Sequence, residues 1–150
     1  MKLTSPDFSD GGNIPELFTC DGEDISPKLN IEDAPAAARS LVLIVDDPDA
    51  PVGTFTHWLV WNLRPDATEI VANRPPPDAV QGVNDFGTSK YGGPCPPSGV
   101  HRYYFRLYAL DTALQLAAKS KRKAVDAAIK GHIISEVTLM GRYSRKGARF

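Results

Sequence analysis

Two stretches of the chain carry most of the residues able to do chemistry. In "IVDDPDAPVGTFTHWLVWNL", residues 44–63, three aspartates, two prolines and His57 interrupt two strongly apolar runs. In "YGGPCPPSGVHRYYFRLYAL", residues 91–110, a loop rich in glycine and proline passes through Cys95 and leads to His101 and Tyr103. Carboxylate and imidazole together serve three chemistries: a two-His-one-carboxylate metal site, a base-assisted hydrolase, or a pocket that holds a ligand without reacting with it. The metal reading has no support at close spacing, since neither an HxxxH nor a CxxC pair is present. A hydrolase would use His101 as base and Ser98 or Cys95 as nucleophile. Ser98 stands only three residues before His101, no G-x-S-x-G elbow is found, and Cys95 is flanked by prolines,. The pocket reading needs neither nucleophile nor cofactor, so no catalytic residue and no metal is expected.

The elements that must position these side chains are strands. "SLVLIVD" (40–46), "THWLVWNL" (56–63) and "RYYFRLYAL" (102–110) are of strand length and rich in branched and aromatic residues,. The third alternates Tyr103, Phe105, Leu107 and Ala109 with Arg102, Tyr104, Arg106 and Tyr108, the period of a strand with one buried face,. The first is nearly continuous in apolar character, which suits burial on both faces. Each proline-bearing loop delivers a histidine to the start of a strand. Were those two strands neighbours, their ends would bring His57 and His101 together, with Asp47 arriving from the preceding strand. Trp58 and Trp61, three apart, face opposite sides. Asp46 and Asp49 read as structural, Asp49 as a partner of Arg102, and Asp85 as a turn residue.

Helix appears late. Ser120 is placed to cap "KRKAVDAAIK", where Ala124, Val125, Ala128 and Ile129 form an apolar stripe and Gly131 follows as the C′ residue,. Beyond it, "HIISEVTLMGRYSR" suggests a further helical turn and then a strand over 138–143, and His132 reads as a packing or capping residue. The length of 150 residues and 42% hydrophobic content fit one domain, 1–150, with its own core,. The net charge of -1 provides no global basic field for nucleic acid,. Residues 101–150 do carry eleven bases against three acids, while residues 1–35 carry eight acids and two bases. Lys119, Lys121, Arg122 and Lys123 lack interleaved aromatics and read as a solvated helix face, with the two charged ends of the chain facing each other or water. No signal-like start or apolar run of membrane-spanning length is seen, so a cytoplasmic location and no stable membrane insertion are expected. Two cysteines do not make a disulfide framework, and Cys20 and Cys95 are expected as free thiols.

Taken in order, "FTCDGEDISP", "DPDAP", "HW", "YGGPCPPSGVHRYYF" and "GHIISEVTLMGRYSR" resemble the phosphatidylethanolamine-binding protein family in its compact bacterial, Raf kinase inhibitor-like form. The likeness runs through nearly the whole chain. It departs at Ile31, where bacterial members often carry Trp, and in site loops that are short beside those of the animal proteins. The resemblance implies a mainly β fold, a β-sandwich with a central antiparallel sheet packed on a smaller one and a few short helices on the other side. It implies a small anion pocket for phosphate, acetate or a phosphoethanolamine-type head group, formed by Asp47, Pro51, His57, Gly93, Pro97, His101 and Tyr103. It also implies a cis bond at Ala50-Pro51, which is cheap for an X-Pro bond. The ligand expected is thus a small phosphate-bearing or carboxylate molecule. A protein partner, such as a kinase or protease modulated through the surface around the pocket, is the alternative, and a homodimer stays open. Asp47 opposes an anion unless it supports a histidine or meets the ammonium of a zwitterionic ligand.

Overall fold

The computed structural model describes residues 1–145. Its chain order is β1 (Lys2–Thr4), a 3-10 turn (Glu16–Phe18), β2 (Leu29–Glu32), β3 (Ser40–Asp47), β4 (Phe55–Leu63), β5 (Glu69–Ile70), β6 (Val80–Gln81), β7 (His101–Leu110), α1 (Arg122–Ile129) and β8 (Ile133–Tyr143). All eight residues of β3 are buried, which makes it the middle strand of the larger sheet. That sheet runs β6-β4-β3-β7-β8, every pair antiparallel, and it packs on a small sheet of order β1-β2-β5. The fold is mainly β, a large antiparallel sheet on a smaller one.

Alternation along β3 divides the core in two. Leu41, Leu43 and Val45 join Tyr103, Phe105 and Leu107 of β7 against Leu3, Leu29, Ile31 and Ile70 of the small sheet. Val42 and Ile44 point the other way, to Leu59, Trp61 and the Val125 and Ile129 stripe of α1. Trp58 belongs to the first core and Trp61 to the second, so the opposite-face expectation holds and both are buried. Fully burying side chains of this size stabilises by about 1.5–3 kcal/mol each, so two apolar faces on one strand anchor it firmly.

The helix lies where its stripe placed it, but its start is different. Lys121, not Ser120, is the N-cap, and no side chain caps it. Ser120 sits one residue too early: its amide donates to Ala117 O and its carbonyl accepts from Val83 N, tying the helix entry to the loop after β6. Gly131 takes φ +83° at the C-terminal end, as expected of a C′ glycine,. The following strand begins at Ile133, earlier than the alternation suggested, because ten of its residues pair with β7. His132 pairs through Nδ1 with Asp111 at 2.8 Å on the surface.

Candidate functional site

β4 and β7 are not neighbours. β3 lies between them, antiparallel to both, so the starts of β4 and β7 flank its end. Asp47, the last residue of β3, thus stands between His57 of β4 and His101 of β7, and the convergence expected from adjacent strands arises through an intervening one. A local irregularity completes it. Val45 pairs with Trp58 but Asp46 pairs with Thr56, which leaves His57 as the extra residue of a β-bulge,. Strict alternation would send His57 to the face opposite Trp58. The bulge re-aims it toward Tyr103, whose ring it meets edge-on with centroids 5.3 Å apart.

These side chains line a cavity of about 350 Å³ together with Ala50, Pro51, Val52, Phe55, Phe86, Cys95, Pro96 and Pro97. His101 Nδ1 lies 2.6 Å from Asp47 Oδ2 and, facing a carboxylate, carries the proton and donates it,. Asp47 Oδ1 accepts from the Asp49 amide at 2.8 Å, which fixes the carboxylate's plane. His57 Nδ1 lies 2.7 Å from Gly92 O, and because a carbonyl only accepts, this nitrogen too is the donor,. In both rings Nε2 is left for the cavity. Burial pushes the His57 pKa down, against the pull of its Gly92 bond and of Asp47, so its neutral form is favoured,. Phe55 and Phe86 add edge contacts to His57 at 5.1 and 5.2 Å.

The Tyr103 hydroxyl is buried and has no partner at full hydrogen-bond geometry, the Asp47 carboxylate and the Cys95 backbone being its nearest hydrogen-bonding neighbours. Burial first, then the Asp47 charge, pushes its pKa well up, so it stays a neutral donor,. A buried hydroxyl without a partner is costly, by about 1–3 kcal/mol, and here it faces a cavity.

The sequence model described as phosphatidylethanolamine-binding protein matches residues 4–144. The "UPF0098 protein" of Methanothermobacter thermautotrophicus is 51% identical over 150 residues, covering 97% of this chain and 99% of its own. The chain belongs to the phosphatidylethanolamine-binding protein family. Among solved structures, a homologue from Chlamydia trachomatis superposes with a TM-score of 0.92 at 43% identity, over 96% of this chain and 97% of that one. Escherichia coli YbcL, described as a new member of the mammalian family, gives 0.90 at 29% identity, over 97% and 98%.

Six of the seven residues expected at the pocket of this family member line one cavity: Asp47, Pro51, His57, Pro97, His101 and Tyr103. Gly93 does not. Its amide donates to Asp24 Oδ1 at 2.8 Å, so it is not free for an anion, and it borders a separate depression behind the disulfide. A Cβ there would lie 2.3 Å from Phe18 O, so the position serves close packing of two loops,.

Two other expectations are corrected. Cys20 and Cys95 are joined in a disulfide with Cα atoms 5.4 Å apart, because the bonds Cys20 N to Pro94 O and Tyr91 Oη to Phe18 O already hold the two loops together. A bridged Cys95 has no thiol to act as nucleophile, which removes that half of the hydrolase alternative. Among the described residues no peptide bond is cis, Ala50-Pro51 included; the loop reverses instead through a turn in which Gly53, at φ +110°, donates to Ala50 O. Asp85 lies in a turn as expected, and its Oδ2 also accepts from the Thr56 amide beside the bulge at 2.7 Å.

Asn84 was not singled out from the sequence. Buried, it donates to His57 O and Lys90 O and accepts from the amides of Phe86 and Thr88, so one amide side chain positions both the bulged strand and the loop that fixes the His57 tautomer. The turn-like "GVNDFG" was its only signal. Asp49 pairs with Arg102 as expected, in a fork of 2.7 and 2.8 Å that holds its carboxyl down at about 2,.

Proposed function

We propose that this protein binds a small oxyanion-bearing ligand, of the phosphate, carboxylate or phosphoethanolamine type, and that it does so without transforming it. The observation that carries this reading is the set of polar atoms facing one cavity with no protein partner: Nε2 of His57, Nε2 of His101 and the buried Tyr103 hydroxyl. Proline on both loops favours it, since a wall ordered before the ligand arrives lowers the cost of binding. Among the described residues neither nucleophile candidate is activated by the Asp47–His101 pair: Cys95 is bridged, and Ser98 is exposed with no bond to His101. Titration of the full chain with phosphate, phosphoethanolamine and zinc, in the wild type and in His57→Ala and His101→Ala, tests the reading. Saturable anion binding lost in both variants supports it; tight zinc binding or ester turnover would sink it.

A second reading rests on the cavity mouth. Val52 is 97% exposed and Phe86 is 47% exposed, and both line the cavity; Val100, beside His101, is also exposed. Apolar side chains at a rim favour a regulatory role in which a protein partner docks around the pocket. A pull-down partner that survives the two histidine substitutions would favour this surface over the cavity. Among the described residues no helix is long and apolar enough to cross a membrane. The cytoplasmic location belongs to the proposal, and the disulfide weighs against it because reducing compartments disfavour such bonds,; cell fractionation checks it.

A further inference from the structure

The cavity has an electrostatic problem that its shape alone does not reveal. Among the described residues lining it there is no lysine or arginine, and the only formal charge is the Asp47 carboxylate. Both histidines hold their proton on Nδ1, His57 toward Gly92 O and His101 toward Asp47. In their neutral forms they therefore present two acceptors, the Nε2 lone pairs, to an incoming anion. Among the side chains of the described residues that line it, Tyr103 offers the neutral donor. An anion entering this cavity unchanged would meet a carboxylate, two lone pairs and one hydroxyl, in a site walled by Pro51, Phe55, Phe86 and Pro97 where charge is weakly screened,.

Resting on the oxyanion reading above, we infer that the pocket takes its anion together with a proton, which settles on Nε2 of His101. Asp47 then balances the imidazolium through the existing 2.6 Å bond, and the new Nε2–H donates to the ligand beside the Tyr103 hydroxyl. The net change in the cavity is zero: one negative charge and one proton enter together.

His101 is the acceptor of that proton rather than His57 because of what surrounds each ring. His101 has Asp47 against Nδ1 from β3, Asp49 acting on it from the following loop, Tyr103 along its own strand and Tyr143 opposite it on β8. Arg102, its chain neighbour, is engaged by Asp49. His57 has the backbone of Gly92 and Gly93 against it rather than a carboxylate, three aromatic rings edge-on, and Asp47 and Asp24 as more distant charges; burial favours its neutral state. It serves as an acceptor for a ligand proton or as a wall.

The test uses acetate and formate, monoanions that do not titrate near neutral pH, so any proton that moves belongs to the protein. Calorimetric titration of the full chain at about pH 7.5, in buffers of different ionisation enthalpy, reads the proton count directly. The expected result is uptake of about one proton per anion, with affinity falling about tenfold per pH unit on the alkaline side. Both His101→Gln and His57→Gln are expected to bind more weakly, by about tenfold or more, but at saturating anion His101→Gln takes up no proton whereas His57→Gln still takes up about one. Saturable binding by the wild type without proton uptake overturns the inference and leaves the oxyanion reading standing. Uptake that persists in His101→Gln overturns the assignment to His101. If acetate, formate, phosphate and phosphoethanolamine all fail to bind at about pH 6, the oxyanion reading falls and this inference with it.

Discussion

Asp46 and Asp47 are consecutive in β3, both almost fully buried, and they face opposite sides of the sheet to opposite ends. Asp46 takes a two-pronged bond from Arg106 at 3.0 Å on both oxygens and a third from Arg122 of the helix, which also reaches Thr56 and Asp126. Asp47 has one histidine and one backbone amide. The first carboxylate is over-supplied with fixed positive charge, and its network closes on itself between sheet and helix. The second is supplied with one ring whose charge can change. A buried charge that is fully matched holds a fold together; one matched only by a titratable partner leaves room for a ligand to finish the arrangement.

The sharpest way to break this contrast is Asp46→Ala. It leaves two arginines facing each other across a buried site, and a loss of about 3–5 kcal/mol in denaturant unfolding is expected, with anion affinity of the folded protein unchanged. Should stability barely move, the matched network is not what fastens α1 to the sheet. Next, replacing both Cys20 and Cys95 by Ser opens a loop of 75 residues, and a loss of about 2–4 kcal/mol is expected by chain entropy,. Because Cys95 forms part of the wall, affinity should weaken as well, which equilibrium titration under the same conditions would show.

Asp47→Asn sharpens the comparison from the other side. Asn has one oxygen for these two bonds, so keeping the Asp49 amide turns its NH2 toward His101 and removes the charge that balances an imidazolium; stability should fall by about 1–3 kcal/mol while anion affinity drops about tenfold or more,. A variant that unfolds like Asp46→Ala but binds normally would reverse the two roles. His57 adds a pH signature. Its folded-state pKa lies below the ordinary 6.5, so below that value the unfolded chain binds more protons and stability declines with acidification; above it the slope vanishes,. Thermal melts across this range should show the slope in the wild type and less of it in His57→Gln. The smallest effect belongs to the exposed Asp49–Arg102 fork: Asp49→Asn should lower the melting temperature slightly and leave affinity alone.

These residues also show what the sequence could and could not reveal. The burial of β3 on both faces, the apolar stripe of α1 and the Asp49–Arg102 pairing follow from local pattern and charge, and they were legible. Asp47, His57 and His101 were legible too, because both histidines sit at strand starts after proline-bearing loops, whereas Pro51, Pro97 and Tyr103 came only with the family resemblance. The rest depends on events that composition does not record. A bulge is one extra residue in an otherwise regular strand, so His57 reads as facing the helix side when it faces Tyr103. Strand order is invisible to period, which is why β3 could not be placed between β4 and β7. Gly93, implied at the pocket by the resemblance, is held instead by a carboxylate 69 residues away, Asp24. The disulfide was missed because its two loops are brought together by backbone bonds between segments distant in sequence.

That disulfide has a mechanical consequence. It closes residues 20–95 into a covalent ring, so a force applied at the two chain ends bypasses roughly 250 Å of contour,. Asp47 and His57 lie inside the ring; His101 and Tyr103 lie just outside it, six and eight residues past Cys95. Tension along the chain therefore acts across the cavity itself, peeling β8 and then β7 from a ring that keeps β3 and β4. A ligand spanning His57 and His101 would sit on that seam and act as a staple against extension.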